Sequence, residues 1–151
     1  MYSKNRKKGN FAEEIIVSHL KSNGFNIIDQ NYLKKWGEID IVAKKYGKVY
    51  FFEVKSSCLG SVSRETVSNL WQIKQFNDNK DVSRETDGIY NPVWNMTNKK
   101  KMRLSRVIRT YLADKYHEML PEFQVDLIAI LLDFSKKTAY INRIEHILLE
   151  N

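Results

Sequence analysis

Gly37-Glu38-Ile39-Asp40-Ile41-Val42-Ala43 and Val49-Tyr50-Phe51-Phe52-Glu53-Val54-Lys55 stand on either side of Gly47. Residues 38–43 alternate polar and apolar, which predicts a half-buried strand. Residues 49–55 are β-branched and aromatic, which predicts a second strand, and Gly47 marks the turn of a hairpin between them. Side chains alternate faces along a strand. Glu38, Asp40 and Val42 are therefore expected on one face, with Ile39, Ile41 and Ala43 on the other. Val49, Phe51, Glu53 and Lys55 are expected to share a face, opposite Tyr50, Phe52 and Val54. A hairpin of this length brings Asp40 and Glu53 side by side at one end of a sheet.

Two carboxylates at the end of an apolar hairpin repel each other and lose solvation. A hard divalent cation relieves both problems. Mg2+, or Mn2+ in its place, takes oxygen ligands, and the Val54 carbonyl adds a third protein donor to Asp40 and Glu53. Such a cation lowers the pKa of a water it binds, which suits attack on a phosphodiester. Lys55, on the Glu53 face, suits orienting that water, assisting its deprotonation or neutralising charge on phosphate. An acid two residues before a lysine arises about twice by chance in a chain of this composition. It occurs at Glu53/Lys55 and Asp78/Lys80, and only the first follows a strand with a partner acid on the strand before. The same spacing also suits a surface ion pair on an edge strand.

Outward from the hairpin, Phe11, Ala12, Ile15, Ile16 and Leu20 recur at helical spacing, so residues 10–23 read as a helix stopped by Gly24. Glu13 falls at the edge of the apolar face and Glu14 outside it. Glu13 can lean over the sheet toward a lysine or a metal water, or serve only as an acid favoured near a helix start. Residues 25–33 read as a first strand, 99–116 as a second helix, 123–133 as a near-continuous apolar strand buried on both faces, and 138–144 as a last strand. Residues 56–98 read as an extended loop or insertion, with a helix near 65–77 as an option carried by Val67, Leu70, Trp71 and Lys74. The whole chain, 1–151, reads as one domain.

Charge adds a partner. The 151 residues carry a formal net charge of +7 and a pI near 9.4, which suits a polyanion such as nucleic acid. From Gly88 to Ala113 there is no acid, while Lys99, Lys100, Lys101, Arg103, Arg106 and Arg109 crowd together. On a helical wheel Leu104, Val107, Ile108, Tyr111 and Leu112 gather opposite Lys99, Arg103, Arg106 and Arg109, with Lys100 at the boundary, placed to reach toward the carboxylates and hold a substrate phosphate. The cations are expected to meet phosphates; a merely solvated face usually mixes signs. Trp36, Trp71 and Trp94 suit stacking on bases and equally suit packing. His19, His117 and His146 lack metal-ligand spacing.

The hydrophobic share of 42% and charged share of 28% are ordinary for a globular domain. The longest apolar run, 127–132, is far short of the ~20 residues of a spanning helix. The basic amino terminus has no apolar stretch behind it. The lone Cys58 admits no internal disulfide. Together these give the expectation of a cytoplasmic protein without a membrane partner.

Gly37-Glu38-Ile39-Asp40 followed by Glu53-Val54-Lys55 resembles the signature of the YraN-like family of small bacterial proteins, a branch of the PD-(D/E)XK nuclease superfamily related in fold to archaeal Holliday-junction resolvases. Glu13 with Leu20 and Gly24, Asn31, and Lys100 with Leu104, Tyr111 and Leu112 resemble further family positions. The chain departs from the pattern at Ala12, where glycine is common, at Gln124, where arginine is usual before Val125-Asp126, and in the length of 56–98. The resemblance implies an α/β fold of the restriction-endonuclease-like kind, a mixed central sheet flanked by helices with an αβββαβ core. It implies Asp40 and Glu53 as metal ligands, Lys55 as catalytic lysine and Glu13 as supporting acid. The implied activity is Mg2+-dependent cleavage of DNA, branched DNA included, with a non-catalytic nucleic-acid-binding protein of the same fold as the alternative. Symmetric cutting of two strands would favour a homodimer.

Overall fold

A computed structural model describes residues 4–59, 71–75 and 96–149, with side chains from residue 9 onward. Helix α1 (Lys4–Ser22) leads into three antiparallel strands, β1 (Asn26–Lys34), β2 (Gly37–Lys45) and β3 (Lys48–Leu59). A short strand, β4 (Gln72–Gln75), and helix α2 (Asn98–Lys115) follow. Strands β5 (Phe123–Asp133) and β6 (Thr138–Ile144) end the fold. The six strands form one mixed sheet in the order β1-β2-β3-β5-β6-β4. Strand β5 lies parallel to β3, and β4 parallel to β6.

Each face carries one helix. Ala12, Ile16 and Leu20 of α1 pack on Ile41, Ala43, Phe52, Ile128, Ile130 and Leu132. Leu104, Val107, Ile108, Tyr111 and Leu112 of α2 pack on Ile39, Val42, Val49, Phe51 and Val125. The sheet is covered on both sides, so β5 is buried from Gln124 to Asp133, as its near-continuous apolar run anticipates. Tyr46 and Gly47 both have positive φ, 50° and 79°, the turn geometry of a tight hairpin. Gly37 lets α2 approach β2: a Cβ there would lie 3.1 Å from the Arg103 carbonyl oxygen. No helix among the described residues is long and apolar enough to cross a membrane.

Two expectations need correction. The optional helix near 65–77 is contradicted where it can be seen: Gln72–Gln75 is a strand on β6, and Trp71 packs edge-on against Phe11 and Phe134. Pairing with the open edge of β6 outweighs the local helical spacing; residues 65–70, 76 and 77 lie outside the described residues. Of the segment 56–98, residues 56–59 continue β3, and the parts at 60–70 and 76–95, with Trp94, are likewise outside.

The second correction concerns faces. Strict alternation puts Ile39 with Ile41 and Ala43, yet Ile39 packs under α2 with Val42. The β2–β3 ladder ends at Ile41↔Phe52. Beyond it β2 turns away from β3, and alternation breaks at Asp40.

Asp126 is fully buried and anchors the far side of β5. It accepts hydrogen bonds from Arg143 Nε (2.8 Å) and Nη2 (2.6 Å), from Gln124 Nε2 (2.8 Å) and from the His146 amide (3.0 Å). The Arg143 guanidinium also lies over the rings of Phe25, Tyr50 and Phe52. Removing one partner of a buried ion pair strands the other charge, which costs roughly 3–5 kcal/mol. Arg143→Met is therefore expected to lower the melting temperature by about 10 °C. Asp126→Asn added to it should restore part of the loss, which calorimetric melting of the three variants would show.

Candidate active site

The site lies where β2 parts from β3. The Val54 amide, left without a strand neighbour on that side, donates to Asp40 Oδ2 at 2.7 Å. A residue's N–H and C=O leave a strand on the same side, so the Val54 carbonyl also faces the gap. Glu53, next along β3, is only 2% exposed. Its Oε1 lies 2.9 Å from Lys100 Nζ and 3.8 Å from Lys55 Nζ. Its Oε2 is buried without a hydrogen-bond partner among the described residues.

The gap opens the sheet to both helices. Glu13 comes from α1 and its carboxyl group lies close enough to the Asn31 side chain, Glu38 and Glu53 to be shifted by them. Asn31 stands between the pairs Gln30↔Ile41 and Tyr32↔Ile39, hence across from Asp40. Its φ of 52° is a left-handed conformation that asparagine tolerates better than most residues. Lys100 comes from the first turn of α2, which is fixed by Thr97: the Thr97 hydroxyl oxygen accepts from the Lys100 amide at 3.3 Å.

Electrostatics mark the same point. Burial, then the charge of Glu53, pushes the Asp40 carboxyl up to about 7, against the pull of the Val54 amide and Lys100. Burial also raises Glu13, helped by Glu38 and Glu53 and opposed by the Asn31 bond. Burial alone would depress Lys100, but Glu53 and Asp40 outweigh it and hold the ammonium charged. Groups driven this far from their usual range in a polar gap are typical of functional sites.

Of the residues singled out in the sequence, Asp40, Glu53, Lys55 and Glu13 are brought together. Lys100, read as a phosphate contact, is drawn in with them. Lys99, Arg103, Arg106 and Arg109 lie on the exposed face of α2, and Lys101 is half-buried. Arg106 covers the Trp36 ring at 4.8 Å, and Trp36 Nε1 donates to Thr110 Oγ1 at 3.2 Å. Asn31 had been placed only by resemblance, with no role.

The α/β fold, one mixed six-stranded sheet between two helices, is compatible with the restriction-endonuclease-like class. The model of the uncharacterised protein family UPF0102 matches residues 12–76, which hold all four grouped residues of the β-strands and α1. A UPF0102 protein of Campylobacter hominis is 30% identical over 127 residues, 84% of this chain and 86% of its own length. A UPF0102 protein of Clostridioides difficile is 48% identical over 52 residues, 34% of this chain and 46% of its own length. One of Helicobacter pylori is 48% identical over 54 residues, 36% of this chain and 47% of its own length. The match thus spans about half the length of these last two relatives. The chain belongs to the UPF0102 family, the YraN-like branch of the PD-(D/E)XK nuclease-like superfamily. The relatives' names state the family and no activity.

Proposed function

We propose that this protein is a divalent-cation-dependent endonuclease acting on DNA, branched DNA included. One observation carries the reading: Asp40 and Glu53 meet at a gap in the sheet, with one buried Glu53 oxygen left unpartnered. The donors fit a hard cation. Asp40, Glu53 and the Val54 carbonyl offer only oxygen, and the raised Asp40 carboxyl signals missing positive charge. Among the described residues no cluster of three or more His, Cys, Asp or Glu side chains surrounds one point; the third protein donor in this reading is the Val54 carbonyl. When bound, Mg2+ or Mn2+ would supply acidification of water and neutralisation of phosphate charge. Lys55, reaching the Glu53 side of the gap, would orient the attacking water and pass or hold its proton. Glu13, beside Asn31, would accept a hydrogen bond from the same water. Lys100 would exchange its Glu53 contact for a substrate phosphate.

The Lys100–Glu53 contact favours a second reading, in which the lysine replaces the cation and the fold binds nucleic acid without cutting it. Incubation with linear, flapped and four-way DNA separates the two. Cleavage that requires Mg2+ or Mn2+ supports the first; binding with no cleavage of any substrate supports the second.

The cationic face of α2 supports either reading. Lys99, Lys100 and Lys101 crowd the positive end of the helix dipole, and no acid lies in that first turn. Phosphates would relieve this crowding. Binding is therefore expected to weaken with salt. In the Arg103→Ala/Arg106→Ala variant the slope of log K against log salt should fall by about 1 per lost contact, with little dependence on sequence. Anisotropy of a labelled duplex across a salt series measures it. An unchanged slope would move the binding face elsewhere, most plausibly to Arg6, Lys7 and Lys8. A homodimer, also expected for symmetric cutting, belongs with this proposal.

A further inference from the structure

Beside the acid pair runs a groove of about 690 Å³ between the β1–β2 turn and the start of α2. It shares Glu38 and Lys100 with the site, so whatever fills it leads to the carboxylates. Its lining is of two kinds. Leu33 is 69% exposed and Met102 58%, both bordering Trp36. Both stand in this one groove, so together they give it an apolar floor beside its charged residues. Around them stand Lys35, Lys99 and Arg103, exposed and without an ion pair among the described residues.

A ligand matching this lining has apolar faces and a regular row of negative charges. A DNA duplex shows its phosphates outside but keeps its base faces stacked within. An unpaired strand shows both, and stacking platforms within cationic grooves are how such strands are held. We propose that this groove binds an unpaired stretch of nucleic-acid strand, base faces on the exposed Leu33 and Met102 and phosphates on Lys35, Lys99 and Arg103. The acid pair is thereby directed to junctions between paired and unpaired DNA. This rests on the reading of the protein as nucleic-acid-binding and names the form of substrate. An acidic protein segment would satisfy the cations but has no need of the apolar floor.

The test is anisotropy of the full chain in EDTA, where no cleavage occurs. The probes are a labelled oligonucleotide of about 20 nucleotides, as a single strand and annealed to its complement. The single strand should bind tighter than the duplex. Leu33→Ser/Met102→Ser should weaken single-strand binding about tenfold and leave duplex binding within roughly twofold. Both side chains are exposed, so the variant should melt with the parent; Leu33→Ser alone should give a smaller loss in the same direction. Equal losses on both probes, or none, would overturn the proposal. So would displacement of the single strand by poly-glutamate at equal charge, which would assign the groove to an acidic protein. Cation-dependent cleavage without strand selectivity would overturn this inference alone. Strand selectivity without cleavage would overturn the nuclease reading alone.

Discussion

Asp40→Asn and Glu53→Gln are each expected to lower DNA cleavage by at least about a thousandfold, the loss of several kcal/mol of transition-state stabilisation. Both substitutions keep shape and remove one charged donor. Asp40→Asn should at the same time stabilise the metal-free protein at pH 8. The Asp40 carboxyl sits at about 7 in the fold, because burial and then Glu53 disfavour its charge. In the unfolded chain it sits near 3.9, so the fold holds a proton that the unfolded chain has lost across that window. The stability linked to Asp40 is thus fully present below about 3.9, declines as pH rises, and is gone above about 7. Asparagine has no charge to bury. The variant should melt several degrees higher than the parent at pH 8 in EDTA, with the gap closing toward pH 4. Loss of cleavage in a protein more stable than its parent is no folding artefact. Unchanged cleavage by both variants would remove the acid pair from the chemistry.

Lys55→Met should lower the cleavage rate by about 10²–10⁴-fold while leaving cation binding largely intact. An ammonium is not a metal ligand, and Lys55 Nζ lies 3.8 Å from Glu53 Oε1 against 2.9 Å for Lys100 Nζ. Lys55 is therefore the looser of the two partners and the freer to serve a substrate. Its side chain is 31% exposed at the mouth of the gap, so methionine should cost little stability. Single-turnover rates at saturating Mn2+ measure the effect. A rate within a few-fold of the parent would leave Lys55 as a surface ion pair, the other reading its spacing allows.

The hairpin and its acids were legible because their signals are local. Period-two alternation and the Tyr46-Gly47 turn lie within a single stretch. Strands β5 and β6 have the bounds read from the sequence, 123–133 and 138–144. Helix α1 starts at Lys4, earlier than residue 10, because its first turns are polar and carry no apolar spacing. Strand β4 was illegible: all four residues are exposed, and its pairing is with a strand more than sixty residues on. The break at Asp40 was hidden for a related reason. A carboxylate that takes over a backbone amide looks, in sequence, like any other alternating residue. The wheel placed Lys100 at the boundary of α2, where it could reach toward the carboxylates, and the packing of that helix brings it to 2.9 Å from Glu53 Oε1. The departure at Gln124 gains a meaning the same way. Gln124 donates to Asp126, and the guanidinium on that aspartate comes from Arg143 on β6.

Calorimetric titration of Mn2+ into the full chain at pH 8 tests most directly whether Asp40 and Glu53 share a cation. One site per chain is expected, lost in Asp40→Asn and in Glu53→Gln and kept in Lys55→Met. Mn2+ binding that survives unchanged in Asp40→Asn and Glu53→Gln would contradict it.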